Sequence, residues 1–414
     1  MTDIKSELLR RLSERHDEMV DFLCRLIRSP TPNPPGDTRA AMGLVEQFLS
    51  DRGIAYEIVA PNPSMPNLVA QFAGANDGPK LVMNGHLDVF PSGDAAKWSH
   101  DPWGAIQENG CIYGRGACDM KSGTTALLFG FAELHALRRH LRGTLVLTIV
   151  SDEETFGPWG ARYLLQHRKD VLGDCLLNSE PTSPYALRFG EKGPLWLHCR
   201  IRTPGAHGAY VHLSRNAVAV AADVIVGLHS LEEFRSPEET PLSITLQRHA
   251  AAIDKAYGAG ASKIISSTTV NVGAIKGGVK INMIPAECDF EVDIRIPPGV
   301  SHDDVMNRLR AVMAPFPEAT FEVVNHGAAN ASLPDHRMVE SLIRNSKRVS
   351  NIEPAPIIGL GGTDARLWRH AGIPAFVYGP SPSGMGTVDE LVRIDEFMHI
   401  AKTHTLAAFD YLSG

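Results

Sequence analysis

The chain has 414 residues, 43% hydrophobic and 21% charged, with a formal net charge of −7. That length exceeds what one hydrophobic core usually supports, so two domains of an ordinary globular protein are expected. An acidic balance without a dense Lys/Arg block argues against nucleic acid and anionic membrane surfaces as partners. Cys24, Cys111, Cys118, Cys175, Cys199 and Cys288 are scattered without CxxC spacing, which speaks against a disulfide framework or a structural zinc site.

In chain order, residues 4 to 28 carry apolar positions at helical spacing, mixed with charges throughout, and the run Ser29-Pro-Thr-Pro-Asn-Pro-Pro-Gly36 ends that pattern. No apolar run of a signal peptide or a membrane span occurs there, so a cytoplasmic location is expected. A helix over about 38 to 52 and strands near 54 to 59 and 67 to 73 follow. Next comes Leu81-Val-Met-Asn-Gly-His-Leu-Asp-Val-Phe-Pro91, a strand that breaks at Asn84-Gly85 and delivers His86 and Asp88. A helix over 123 to 138, a strand over 143 to 150 ending in Ser-Asp-Glu-Glu, a helix near 158 to 167 and a strand over 175 to 178 ending in Ser-Glu-Pro complete the first half. Continuous apolar strands alternating with helices predict an α/β fold with a largely parallel sheet covered by helices.

From about Glu191 the order becomes strand 194 to 203, helix 214 to 229, strands 268 to 275 and 286 to 296, helix 302 to 313 and strand 319 to 324. That βαββαβ sequence predicts an inserted split-βαβ, ferredoxin-like layer. Residues 191–326 are therefore read as a lid and dimerisation domain, and 1–190 with 327–414 as the catalytic, metal-binding domain. The stretch 232 to 266 reads equally as an insertion or a hairpin.

His86, Asp119, Glu153, Glu154 and Glu180 all stand just after strands or just before a helix, where a parallel sheet binds ligands. Nitrogen and oxygen donors without thiolates suit zinc, manganese or cobalt. His86 reads as a ligand and Asp88 as the carboxylate that would hold its far ring nitrogen. Paired glutamates repel unless a cation or proton lies between them, so one can bind metal while the other takes a proton from water. The same pair could also simply begin the helix near Pro158.

The motifs HLDVFP, GRGACDMKSG, SDEE, SEP, HGAY, GGVKINMIP, DIR, GGTDAR and VDE, in this order, resemble the M20 metallopeptidase family, which includes acetylornithine deacetylase, succinyl-diaminopimelate desuccinylase, aminoacylase and carboxypeptidase relatives. The resemblance implies a metal-dependent hydrolase of an amide bond in an N-acyl amino acid or small peptide-like substrate. Asp119 would bridge two divalent metals, His86 and Glu180 completing the first site and Glu154 belonging to the second. Glu153 would be the general base, and His207 would help hold the oxyanion and reach a neighbouring subunit, implying a homodimer. Asn282 and Arg295 would contact substrate, as would the loop Gly361, Gly362 and Thr363, with Asp364 orienting that loop.

One position departs from the family pattern. Where a histidine ligand of the second metal stands three residues before the Asp-Glu pair, this chain has Gly386 ahead of Asp389-Glu390. His370, His399 and His404 are the replacements to consider. The expectation is one tightly held metal per subunit and a second that exchanges readily. Two other readings compete: hydrolytic release of an amine or carbamoyl group from a non-peptidic compound, and a ligand-binding relative without turnover.

Overall fold

A computed structural model describes residues 3–414, and the chain divides into two compact units. The first comprises residues 3–189, Ser332–Ile357 and Thr363–Gly414; the second comprises Gly190–Ala331 and Ile358–Gly362. The boundary of the second unit thus runs past 326 and takes in a short distant piece. Backbone hydrogen bonds account for this, with Asn330 paired to Glu191 and the Lys192 N–H donating to the Gly359 carbonyl at 3.1 Å.

In the first unit four parallel strands lie side by side in the order Arg142–Val150, Asn76–His86, Cys175–Asn178 and Ala375–Val377. Their runs of Leu, Val and Ile are buried on both faces, as parallel strands covered by helices must be. Antiparallel strands flank them: Asn67–Ala73 pairs with Arg142–Val150, and Tyr56–Val59 pairs with Asn67–Ala73. The sheet is therefore mixed. The short link between residues 59 and 67 is too brief for a crossover and returns the chain antiparallel. The expected first helix is two, Ile4–Glu14 and His16–Ile27, divided at Arg15.

One face of the sheet packs Val82, Val146 and Leu176 against Leu164 and Trp368. The helix Ser122–Ala136 is buried from Ser122 through Leu134, so it packs on all sides rather than along one stripe. Its first turn approaches the sheet closely: a Cβ on Gly123 would lie 2.3 Å from the Ser179 carbonyl oxygen. Only glycine fits there, and the residue after that carbonyl is Glu180.

The second unit has a four-stranded antiparallel sheet in the order Thr269–Gly277, Glu287–Ile296, Gly193–Arg202, Ala319–His326. Helices Ala217–Leu228 and His302–Met313 cover one face, burying Leu197, Val224, Phe290 and Leu309. Asn216 and Ser301 cap them with side-chain oxygens on first-turn N–H groups. This is the split-βαβ arrangement. Residues 232 to 266, left open between insertion and hairpin, hold the helices Pro241–Arg248, Ala250–Tyr257 and Ala261–Ile264. The buried Lys192 ammonium ties their end down, donating to the carbonyls of Ile264 at 2.7 Å and Ser267 at 2.6 Å.

Candidate metal centre

The first unit gathers six of the singled-out residues at one rim of its sheet. Strand Asn76–His86 ends on His86, and its two parallel neighbours lead into Glu153 and Glu154 on one side and Glu180 on the other. A polar row beneath the rim fixes the strand ends. The Asn84 amide donates to Thr148 Oγ1 at 3.2 Å, the Asn178 amide to Asn84 Oδ1 at 3.0 Å, and the Glu180 N–H to Asn178 Oδ1 at 2.9 Å. Asp119 enters from Ala117–Lys121, an irregular turn leading into the buried helix.

His86 Nε2 lies 3.0 Å from Glu180 Oε1 and 3.5 Å from Asp119 Oδ1. One donor atom from each of His86, Asp119 and Glu180 falls within 4.8 Å of the others. All three are buried. The far ring nitrogen, Nδ1, stands 2.8 Å from the backbone carbonyl of Asp88, whereas the Asp88 carboxylate is 3.6 Å away. The expectation that the Asp88 carboxylate would hold the imidazole is corrected in that detail. The short step from His86 to residue 88 turns the carbonyl, not the side chain, toward the ring. Nδ1–H donating to a carbonyl still fixes the tautomer and points the Nε2 lone pair into the cluster.

The Asp88 carboxylate instead accepts from the backbone N–H groups of Glu153 at 3.2 Å and Glu154 at 3.1 Å, and from the Asn33 amide at 2.9 Å. That same amide donates to Asp152 Oδ1 at 3.1 Å. Asn33 and Asp88 thus hold the turn carrying both glutamates. No helix begins at that turn; the next starts at Ala161, so the helix-capping reading of Glu153 and Glu154 falls away. Asn33 stands inside the proline-rich loop, where nothing in the sequence signals this role. Arg366 was also missed, though it closes the GGTDAR motif; its Nη1 stands 3.6 Å from Glu153 Oε1 and donates to the Thr363 carbonyl at 2.6 Å.

Electrostatics make the cluster costly as it stands. Burial, with Glu180 and Asp364 adding repulsion, pushes the Glu153 carboxyl well above its usual range against the pull of His86 and Arg366. Burial and the Asp119 charge do the same to Glu154. The same two causes bring Glu180 to about 7, with His86 opposing. Burial works against a charged His86, yet Glu180, Asp119 and Asp88 together raise it well above an ordinary histidine. Asp119 Oδ1, Glu153 Oε1 and Glu154 Oε1 are buried without a hydrogen-bond partner. Buried oxygens of this kind are satisfied by a cation, and the donor set of one imidazole and several carboxylates fits a divalent metal.

None of the three substitute histidines joins this cluster. His404 Nε2 lies 2.6 Å from the Tyr378 carbonyl oxygen, and His399 lies between the Tyr378 hydroxyl at 2.8 Å and Ser350 Oγ at 2.9 Å. Burial holds both rings neutral, at about 4. His370 is exposed at the end of helix Ala365–His370. Gly386 has φ +69°, and a Cβ there would meet only the Phe90 ring, at 3.7 and 3.8 Å.

The remaining expected residues lie mostly in the second unit. His207 ends the two-residue strand Ala206–His207, is exposed, and accepts the Ala209 N–H on Nδ1 at 3.2 Å. It lines a cavity of about 780 Å³ with Pro204, Lys276, Val279 and Met283. Asn282 is exposed, its carbonyl accepting the Gly208 N–H at 2.8 Å. Arg295 is engaged by Asp293 through Nε at 2.8 Å and Nη2 at 3.0 Å. Gly361 and Gly362 fall in the second unit, while Thr363 and Asp364 are buried in the first.

The model of Peptidase family M20/M25/M40 matches residues 82–410. A succinyl-diaminopimelate desuccinylase of Gluconacetobacter diazotrophicus is 30% identical over 402 residues, covering 93% of this chain and 94% of that protein. Among solved structures, the M20 family metallo-carboxypeptidase Sso-CP2 from Sulfolobus solfataricus superposes with a TM-score of 0.79 at 20% identity, covering 95% of this chain and 99% of that one. The di-peptidase Dug1p from Saccharomyces cerevisiae gives 0.78 at 17% identity, covering 99% of each chain.

Proposed function

We propose a mechanism for a chain that belongs to Peptidase family M20/M25/M40 and is a metal-dependent hydrolase of amide bonds in N-acyl amino acids or small peptide-like compounds. The observation that carries it is the convergence of His86, Asp119 and Glu180 within 4.8 Å, beside a buried Glu153 oxygen that accepts no hydrogen bond and has only the Arg366 guanidinium near it at 3.6 Å. His86 Nε2, Asp119 and Glu180 would hold a zinc, manganese or cobalt ion. When bound, that ion supplies a Lewis acid that polarises the carbonyl and lowers the pKa of water.

Glu153 takes the proton of the attacking water on Oε1 and passes it to the departing nitrogen. Its raised proton affinity suits both halves of that transfer, and Arg366 keeps the carboxylate from being lost to permanent protonation. Asp88 and Asn33 hold the Glu153–Glu154 backbone at the height of the rim. Glu154 serves a second, weaker metal position, which Gly386 leaves without an imidazole. His207 donates to the developing oxyanion. Asn282, Arg295, Gly361, Gly362 and Thr363 contact the substrate, with a substrate carboxylate displacing Asp293 from part of the Arg295 guanidinium.

The second unit is the lid and the dimerisation surface in this reading. Tyr210, Val211, Leu213, Val279, Ile281 and Met283 are exposed there, a concentration of apolar side chains that supports burial against a second copy. No helix among the described residues is long and apolar enough to cross a membrane. Six free, buried cysteines accord with a cytoplasmic location. A panel of N-acetyl, N-succinyl and N-carbamoyl amino acids, each with added zinc, manganese or cobalt, tests the substrate class. Release of acyl groups but not carbamoyl groups supports the reading. Turnover of carbamoyl compounds alone transfers the site to the non-peptidic alternative, and tight binding without turnover to the non-catalytic one.

A further inference from the structure

The VDE motif near the C-terminus sends its glutamate back to the metal-ligand turn. Glu390 is buried, and its Oε1 accepts the backbone N–H groups of Cys118 and Asp119, each at 3.1 Å. Its Oε2 pairs with Nη1 of the buried Arg115 at 2.6 Å. Arg115 Nη2 donates to the Thr387 carbonyl at 2.9 Å, and the Gly114 N–H to the Glu390 carbonyl at 2.9 Å. Strand Leu391–Arg393 then pairs with Cys111–Tyr113, the strand that leads into the Asp119 turn. The neighbouring Asp389 accepts from the N–H of Ser99 at 2.7 Å and from its hydroxyl at 2.9 Å.

We propose that Glu390, backed by Arg115, is the positioning residue for Asp119, fixing the backbone from which that carboxylate is presented to the divalent cation. The inference rests on the reading that His86, Asp119 and Glu180 hold the metal. The physical need is specific. Ala117–Lys121 is an irregular turn in which Asp119 and Met120 have non-helical backbone angles, so the regular hydrogen bonds of a helix do not define where Asp119 points. A buried carboxylate accepting both N–H groups supplies that definition, and the guanidinium balances its charge. The segment Gly384–Glu390 therefore serves the metal through the backbone of Asp119, although Gly386 offers no ligand of its own.

Glu390→Asp keeps the charge that Arg115 needs while withdrawing the carboxylate from the two N–H groups by one methylene. Cobalt(II) binding to the full-length protein, measured by chelator competition and by the visible spectrum of the loaded protein, is the readout. The expected result is an affinity loss of about tenfold or more with a changed spectrum, the size typical of outer partners of metal ligands, and larger than the fall in metal-free melting temperature accounts for. Wild-type affinity and spectrum in a folded Glu390→Asp protein would overturn the inference, as would an affinity that falls only in step with the melting temperature. If that variant fails to fold, Glu390→Gln is read by the same two criteria. A wild-type protein that takes up no cobalt, or a His86→Ala protein that takes it up unchanged, sinks the metal-site reading itself and this inference with it.

Discussion

His86 and His207 show how differently the two units prepare a histidine. His86 is buried, its Nδ1 held by a backbone carbonyl and its Nε2 turned to two carboxylates. His207 is exposed, and its Nδ1 accepts an N–H two residues along its own loop. The first arrangement is costly without a cation, because the carboxylates around it carry buried oxygens that accept no hydrogen bond. The second is an ordinary surface loop that needs nothing more to be stable. The buried, close-set donors make the first unit's rim a candidate metal centre on geometry, whereas the role proposed for His207 rests on the family resemblance.

That contrast can be broken most forcefully at its buried end. His86→Ala should remove the metal and nearly all activity together; elemental analysis and a turnover assay on the same sample check both. Glu153→Ala should lower kcat by about 10²–10⁴-fold, the usual worth of a positioned acid–base group, while metal content stays at the wild-type level. A Glu153→Ala protein that stays active contradicts the mechanism. His207→Ala should cost less than either, about 10- to 1000-fold in kcat if it donates to the oxyanion, and should leave metal content and melting temperature unchanged.

A smaller effect separates the units by pH. Glu180 is held at about 7 in the fold against 4.5 for an ordinary glutamate, with Glu153 and Glu154 raised in the same direction. Groups whose folded pKa is raised contribute stability that is complete below the unfolded value and is lost as pH rises through the folded one. The metal-free protein should accordingly melt at progressively lower temperature as pH is raised from about 4.5 through 7. Added zinc should abolish most of that slope. A flat profile without metal would mean the carboxylates ionise in the fold at no cost.

How much of this was legible in the sequence follows from the physics of each element. Strand-end delivery of His86, Glu153, Glu154 and Glu180 could be read because a buried parallel strand is a continuous apolar run and its end is a sharp change of polarity. The tautomer partner of His86 could not, since the choice between the carbonyl and the carboxylate of Asp88 turns on one backbone dihedral. Asn33, Arg366 and the Arg115–Glu390 pair reach their partners across long separations in sequence, 55 residues for Asn33 and Asp88 and 275 for Arg115 and Glu390. Periodicity carries no trace of such contacts. The helices within 241–264 were obscured by their shortness and small residues, where helical and hairpin patterns look alike. The antiparallel pairing of Tyr56–Val59 with Asn67–Ala73 is set by a short connection rather than by the strands' own residues.

In the proposed site one buried cluster, His86 with Asp119 and Glu180, would hold the tight metal, and Gly386 would leave any second position weak. Metal content per subunit after extensive dialysis tests this most directly. One equivalent retained, and lost in His86→Ala, is the predicted result; two equally tight equivalents would contradict it.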